Sequence, residues 1–290
     1  MAKIAGVVIV YYPDFNKLFI NIKTYIDNVE HLYVVFNSPV RKEDANILCS
    51  EFSNIQLIIN DENVGIASAL NQAAQKALSL GYEWLLTMDQ DSSFHSDSYF
   101  KAFEKSENKS IAIISPNPEI DTISNVGDTD TTDEILCAIT SGNLLNLKIW
   151  KTIGGFEEKL FIDEVDNEYC LRAILNGFKI IRFKNIPLIH KLGQNKTVSL
   201  FFRKYTIIIH PPLRNYYIFR NSLYIFSKYK KEFPDFVRSR KIVLLKVFIK
   251  ILLFSSEKFK NCRYIFNGVK DYFNNSFGCY KGEITKSKKS

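Results

Sequence analysis

The sequence predicts an α/β fold, a doubly wound sheet followed by a basic helical extension. Three observations predict it. Short apolar runs of strand length recur through the first 115 residues. Helical spacing separates several of those runs, and alternation of this kind is the pattern of parallel strands joined by crossover helices. After residue 200 the composition turns aromatic and basic: residues 1–200 hold 18 Lys/Arg against 26 Asp/Glu, and residues 201–290 hold 20 against 5. Net charges of −8 and +15 on one chain point the second segment at an anionic partner.

Residues 4–12 (IAGVVIVYY) form a continuous apolar run suited to a buried parallel strand. Residues 15–29 have helical spacing, 31–36 (HLYVVF) read as a second strand and 54–60 (NIQLIIN) as a third. Residues 63–80 (NVGIASALNQAAQKALSL) are rich in Ala and Leu and read as a helix entered through a glycine loop, with Gly81 at its C-terminus. Residues 83–88 and 111–115 are the fourth and fifth strands. Residues 116–134 read as an acidic surface loop, and 176–189 as a turn and a further strand ending at His190. A boundary near residue 200 separates a first domain, 1–200, from an extension, 201–290, with helical character from Phe201 onward.

The termini and cysteines narrow the class. The opening apolar run is short and lacks a cleavage-site pattern, so it reads as a strand and not a secretory signal. No uncharged apolar stretch reaches the length of about 18 residues that a membrane-spanning helix needs. The five scattered cysteines have no CxxC spacing, which suits reduced thiols in the cytoplasm and no zinc site. No Ser-His-Asp or Cys-His arrangement is visible. His31, His95 and His210 read as structural or loop residues.

In doubly wound sheets, ligands bind at the carboxyl ends of strands. Tyr11, Tyr12, Asn37, Asn63, Gly65 and the pair Asp89 and Asp91 all fall at or just after such ends. Two carboxylates at i and i+2 can share a hard divalent cation while phosphate oxygens take its other positions. Taken alone, the same stretch (WLLTMDQDSSF) is also an ordinary strand exit into a serine-rich turn. Likewise the cluster Asp163, Glu164, Asp166 and Glu168 can be the acidic first turn of a helix, which favours the helix dipole. Arg172 either pairs with one of these carboxylates or offsets their charge.

Taken in order, NVGIA with Asn71, DQD at 89–91, TSGNL at 140–144, GGF at 154–156 with FIDEVDNEYCLR at 161–172, and HKLG at 190–193 resemble the motifs of a family 2 GT-A glycosyltransferase, in the rhamnosyltransferase-like branch. The resemblance covers about residues 4–221. It implies a GT-A fold, a Rossmann-like doubly wound mixed sheet, and an inverting, metal-dependent enzyme. Carried over by position, Asp166 is the general base, and Asp91 and His190 are metal ligands for Mg²⁺ or Mn²⁺. Asp89 contacts the nucleotide ribose, and Tyr11, Tyr12, Asn37, Asn63, Gly65, Asn71 and Gln90 complete the nucleotide-sugar region. Ser141, Gly142, Asn143, Asp163, Glu168, Arg172, Arg214 and Arg220 belong to the donor and acceptor region.

Two positions depart from the family pattern. Phe36-Asn37-Ser38-Pro39 lacks the carboxylate usual after the second strand, and Tyr11-Tyr12-Pro13 stands where a Thr-Tyr-Asn type turn is usual. They leave the donor base open between dTDP and UDP. The implied partners are a nucleotide-diphosphate sugar, most simply dTDP-rhamnose, and a lipid-linked surface glycan such as an O-antigen or capsule chain. An anionic membrane surface at the inner face of the cell membrane would meet the basic arm, where residues 241–254 (KIVLLKVFIKILLF) set lysines into an apolar helix. No nucleic-acid reader motif is present. The alternatives are another donor (UDP-galactofuranose, UDP-glucose or UDP-galactose), a catalytically silent GT-A sugar-binding or scaffold module, and a basic adapter.

Overall fold

A computed structural model describes residues 2–105, 110–118, 131–190, 195–200, 203–208 and 210–282, with the backbone alone for 195–200 and 203–208. The strands are β1 (Ile4–Val10), β2 (His31–Phe36), β3 (Ile55–Ile59), β4 (Trp84–Asp89), β5 (Ser92–Phe94), β6 (Ile111–Asn117), β7 (Thr132–Glu134), β8 (Asn143–Asn146), β9 (Lys179–His190), β10 (Asn195–Leu200) and β11 (Arg203–Ile208). The helices are α1 (Phe15–Ile22), α2 (Lys42–Glu51), α3 (Ile66–Ser79), α4 (Ser98–Glu104), α5 (Leu147–Ile153), α6 (Val165–Leu175), α7 (Pro212–Tyr229), α8 (Pro234–Phe254) and α9 (Lys258–Phe273). The chain divides into two compact units, Met1–Glu158 with Val165–Lys191, and Lys159–Glu164 with Leu192–Ser290.

In the first unit the strands run β3-β2-β1-β4-β8-β6-β9-β5, with β7 beside β9. β1 to β4 are parallel, β8 is antiparallel to both its neighbours, and β9 is parallel to β6 but antiparallel to β5. The sheet is therefore mixed. Register aligns the strand ends: Val10 faces Phe36, and Ile9 faces Asp89. Tyr11, Asn37 and Asp89 thus leave the sheet at one edge. Val8, Val10, Leu32, Val34, Phe36, Leu86 and Met88 share a core with Leu18 and Ile22 of α1, Leu48 of α2 and Tyr99 of α4. α3 packs on β1, β2 and β4 through a face of small residues: Ala67, Ala69, Ala73, Ala74 and Ala77, with Leu70, are buried.

Several boundaries differ from the sequence expectation, for local reasons. The helix expected over 15–29 stops at Ile22, where the Thr24 hydroxyl donates to the Asn21 carbonyl (2.7 Å), and a short 3₁₀ turn, Ile26–Asn28, follows. α3 begins at Ile66 and not Asn63, because Asn63 Oδ1 accepts from Gly65 N (2.9 Å) and Gly65 takes φ +85°. Within the expected loop, β6 continues to Asn117 and β7 pairs with β9, while 119–130 lie outside the described residues. The helical character expected from Phe201 onward starts only at Pro212. Before it, β10 and β11 form an antiparallel hairpin, in keeping with the β-branched residues of KTVSL and KYTII. α8 ends at Phe254, where Ser255 is extended and its hydroxyl accepts from Glu257 N (3.1 Å) and Asn261 Nδ2 (3.1 Å), and α9 begins anew.

Candidate active site

β4 delivers Asp89 at its last residue, and the β5–β9 pairing sets Ser92 opposite His190. That register joins residues 98 positions apart: Ser92 Oγ lies 2.7 Å from His190 Nδ1. Asp91 Oδ1 lies 3.8 Å from the same nitrogen. One possible ligand atom from each of Asp89, Asp91 and His190 falls within 4.8 Å of the others. Two carboxylates and an imidazole form a donor set that suits Mg²⁺ or Mn²⁺. Ser92 and Asp91 both approach the Nδ1 side of the ring, so the serine hydroxyl orients the imidazole within the acidic cluster. Ser92 was not singled out in the sequence, where nothing distinguishes it from a turn serine. Lys191, Leu192 and Gly193 of the expected closing loop lie outside the described residues.

The backbone on which Asp89 sits is anchored by the segment leading into β8. Ser141 is fully buried, and its hydroxyl accepts from Asp89 N (3.1 Å). Gly142 N donates to Thr87 O (2.7 Å), and Thr87 Oγ1 donates to Thr140 O (2.5 Å). Gly142 has φ +83°, and a Cβ there would come within 2.7 Å of Pro116 Cγ and 3.0 Å of Leu188 Cδ1, so only glycine brings this segment so close. Thr87, Thr140 and Asn143 line one small cavity with Phe156 and Asp166. Asp166, the second residue of α6, thereby shares a wall with the TSGN segment; its Oδ1 accepts from Asn167 N (2.8 Å).

At the ends of β1 and β2, the two tyrosine rings stand in solvent, Tyr11 50% and Tyr12 66% exposed, edge to face at 4.7 Å. Gln90 fixes the backbone of Tyr11: its Oε1 accepts from Tyr11 N (2.8 Å) and its Nε2 donates to Tyr11 O (3.3 Å). Tyr12, at φ +46°, donates its N–H to Ser38 Oγ (2.8 Å). Asn37 is buried within a chain of amides. Gln72 donates to Asn60 (3.0 Å), Asn60 to Asn37 (3.0 Å), and Asn37 to Gly65 O (3.1 Å). The neutral residue in place of the family carboxylate thus holds the NVG turn by bonds that Asn, as both donor and acceptor, can make.

Asn71 and the Glu168–Arg172 pair both hold the backbone of residues 153–156. Asn71 Oδ1 accepts from Phe156 N (2.8 Å), while its Nδ2 donates to Phe156 O (2.9 Å) and Glu158 Oε1 (2.8 Å). Arg172 pairs with the fully buried Glu168 (Nη2–Oε2 2.8 Å) and donates to the carbonyls of Ile153, Gly154 and Gly155 (2.7, 2.7 and 2.6 Å). The guanidinium fork reaches carboxylate and carbonyls together, which lysine could not do.

In the second unit, the loop preceding α6 carries three non-glycine residues in the left-handed region: Phe161 (φ +68°), Asp163 (+63°) and Glu164 (+65°). Such backbone persists only where surrounding bonds impose it. Asn221 Nδ2 donates to the carbonyls of Leu160, Ile162 and Asp163, and the fully buried Arg220 donates to Leu160 O (3.1 Å) and Gly278 O (2.8 Å). Glu164 is buried against Ser222 and Arg240. Arg214 pairs with Asp163 (3.1 Å), whose carboxyl is held above the ordinary range by burial, with Arg214 opposing the shift.

Comparisons with known proteins fit this arrangement. Residues 27–164 match the family model described as Glycosyl transferase family 2. The dTDP-rhamnosyl transferase RfbF of Shigella flexneri is 26% identical over 247 residues, covering 78% of this chain and 81% of that protein. Among solved structures, GalNAc-T7 with UDP, GalNAc and Mn²⁺ superposes with a TM-score of 0.54 at 10% identity, over 65% of this chain and 43% of that one. TarS of S. aureus gives a TM-score of 0.51 at 14% identity, over 94% of this chain and 44% of that one. The chain therefore spans less than half the length of either solved protein, and these two likenesses speak for the fold alone. With the GT-A sheet beneath the acidic strand end, the family 2 match over residues 27–164 and the likeness to a dTDP-rhamnosyl transferase along most of the chain together support a glycosyltransferase.

Proposed function

We propose that the enzyme transfers rhamnose from dTDP-rhamnose, with inversion, to a lipid-linked surface polysaccharide such as an O-antigen or capsule chain, at the inner face of the cell membrane. The observation that carries the reading is the gathering of Asp89, Asp91 and His190 at a parallel-strand end beside two exposed tyrosines. Rhamnose is taken from the Shigella flexneri relative. Asp91 and His190, with Asp89 alongside, would hold Mg²⁺ or Mn²⁺, which when bound supplies charge compensation to the diphosphate leaving group. Tyr11 and Tyr12 offer faces to the base, and Asp89 reaches the ribose. Asp166 accepts the proton of the acceptor hydroxyl as that oxygen bonds to C1, opposite the breaking C1–O bond to the diphosphate.

Asn37 in place of the family carboxylate leaves the donor base open, and the second reading is the same chemistry with a UDP-sugar. A screen of dTDP-, UDP- and GDP-sugars with Mg²⁺ or Mn²⁺, following nucleoside diphosphate release, decides between them. Turnover of dTDP-rhamnose at least about tenfold above the UDP-sugars is expected, a discrimination within reach of one or two pocket contacts. Turnover of UDP-sugars alone would replace the donor, and turnover of none would remove the catalytic reading.

Membrane placement is supported by α8. Ile242, Leu245, Ile249, Leu252 and Leu253 are exposed along it, between exposed Lys241, Lys246 and Lys250. No helix among the described residues is long and apolar enough to cross a membrane, so the contact proposed is interfacial.

A further inference from the structure

We propose that the outer face of α9 is a second membrane-contact surface, in which Phe259, Phe266 and Phe273 enter an anionic leaflet while Arg263 and Lys270 bind its lipid phosphates. The inference rests on the membrane-face reading above and extends it to a helix that reading does not use. The three phenylalanines are 93%, 67% and 76% exposed. They recur every seven residues, with exposed Arg263 and Lys270 at the intervening positions, so aromatics and cations alternate along one stripe.

The stripe cannot turn inward. On the opposite side of α9, Asn261, Tyr264, Ile265 and Gly268 are buried. A Cβ at Gly268 would lie 2.5 Å from the Tyr216 carbonyl oxygen, so α9 rests backbone to backbone on α7. Asn261 Oδ1 accepts from Asn215 Nδ2 (2.6 Å), and its Nδ2 donates to Glu257 O (2.9 Å), pinning the first turn. Isolated apolar residues on a surface need no explanation, but a periodic row of rings on a rigid helix does.

Charge complementarity selects the occupant. Between Lys258 and Phe273 the helix carries Lys258, Lys260, Arg263 and Lys270 against Asp271 alone, and Asp271 accepts from the Tyr216 hydroxyl (2.7 Å). Long basic side chains beside inserted rings can extend to headgroup phosphates. A second copy of this chain fits less well, since pairing two such stripes would set cations against cations. At about 200 Å² for a fully exposed ring, the three rings also offer on the order of 500 Å², below the roughly 800 Å² per partner of a stable interface. A single nucleic-acid strand fits no better. Rings about 10 Å apart along a helix cannot stack successive bases spaced about 3.4 Å.

The test uses full-length protein and vesicles of phosphatidylethanolamine with phosphatidylglycerol, with pure phosphatidylcholine as the neutral control. The variant F259S/F266S/F273S is expected to lower vesicle partition at least about tenfold, and R263Q/K270Q about fivefold per charge on the anionic vesicles only. Thermal melting and donor hydrolysis stay at wild-type values. L245S/I249S on α8 separates the two readings. If the α9 variants partition like wild type while the α8 variant does not, this inference falls and the membrane-face reading stands. If wild type binds neither vesicle, both fall. A dimer that F259S/F266S/F273S converts to monomer without change in partition, or an oligonucleotide bound in place of vesicles, would overturn the inference too.

Discussion

Asp166→Asn is expected to lower sugar transfer by about 10²–10⁴-fold while leaving the protein folded and the donor KM within a few-fold of wild type. The asparagine keeps the volume of the side chain and an oxygen that can accept from Asn167 N, so the start of α6 keeps its form. What it loses is the ability to take a proton. The loss should therefore fall on kcat. Nucleoside diphosphate release with acceptor present is the readout, with thermal melting as the control for folding. Activity within about threefold of wild type would place the base elsewhere among the acidic residues.

The second large effect is on stability. Arg172→Met is expected to cost about 3–5 kcal/mol, because it leaves the fully buried Glu168 without its charge partner and three loop carbonyls without their donor. For a domain of this size that is a fall in Tm on the order of 10 °C. Glu168→Leu with Arg172→Met should lose less than the two single changes summed, since the uncompensated charge disappears with its partner. Thermal melts of the four proteins decide it. A single-variant loss under about 1 kcal/mol would mean that Glu168 finds other support, and that the loop over Gly154 and Gly155 does not depend on the arginine.

The strands were legible where apolar runs end sharply. Residues 31–36 match β2 residue for residue, and the run into Asp89 and Asp91 marked the strand end now found beside His190. Local sequence could not supply the β5–β9 register that carries His190 to Ser92, because pairing across 98 positions is decided by the packed sheet. Nor did it separate polar residues that face solvent from those spent on the fold. Asn37, Asn71, Gln90 and Arg172 all look like binding residues in a motif, yet each bonds to backbone or to a buried partner. The seven-residue recurrence of Phe259, Phe266 and Phe273 is present in the sequence, but only the burial of Gly268 against α7 tells which way those rings point.

On the proposed function, the end of β4 holds a cation and, through it, a nucleotide diphosphate. Calorimetric titration of Mn²⁺ into the protein with dTDP present tests this most directly, on wild type and Asp91→Asn side by side. Because Asp91 is half exposed, its replacement should leave melting unchanged. One Mn²⁺ per chain is expected for wild type, with affinity reduced at least about tenfold in the variant. Equal Mn²⁺ affinity in the two proteins, with dTDP bound to both, would mean that Asp91 does not hold the cation.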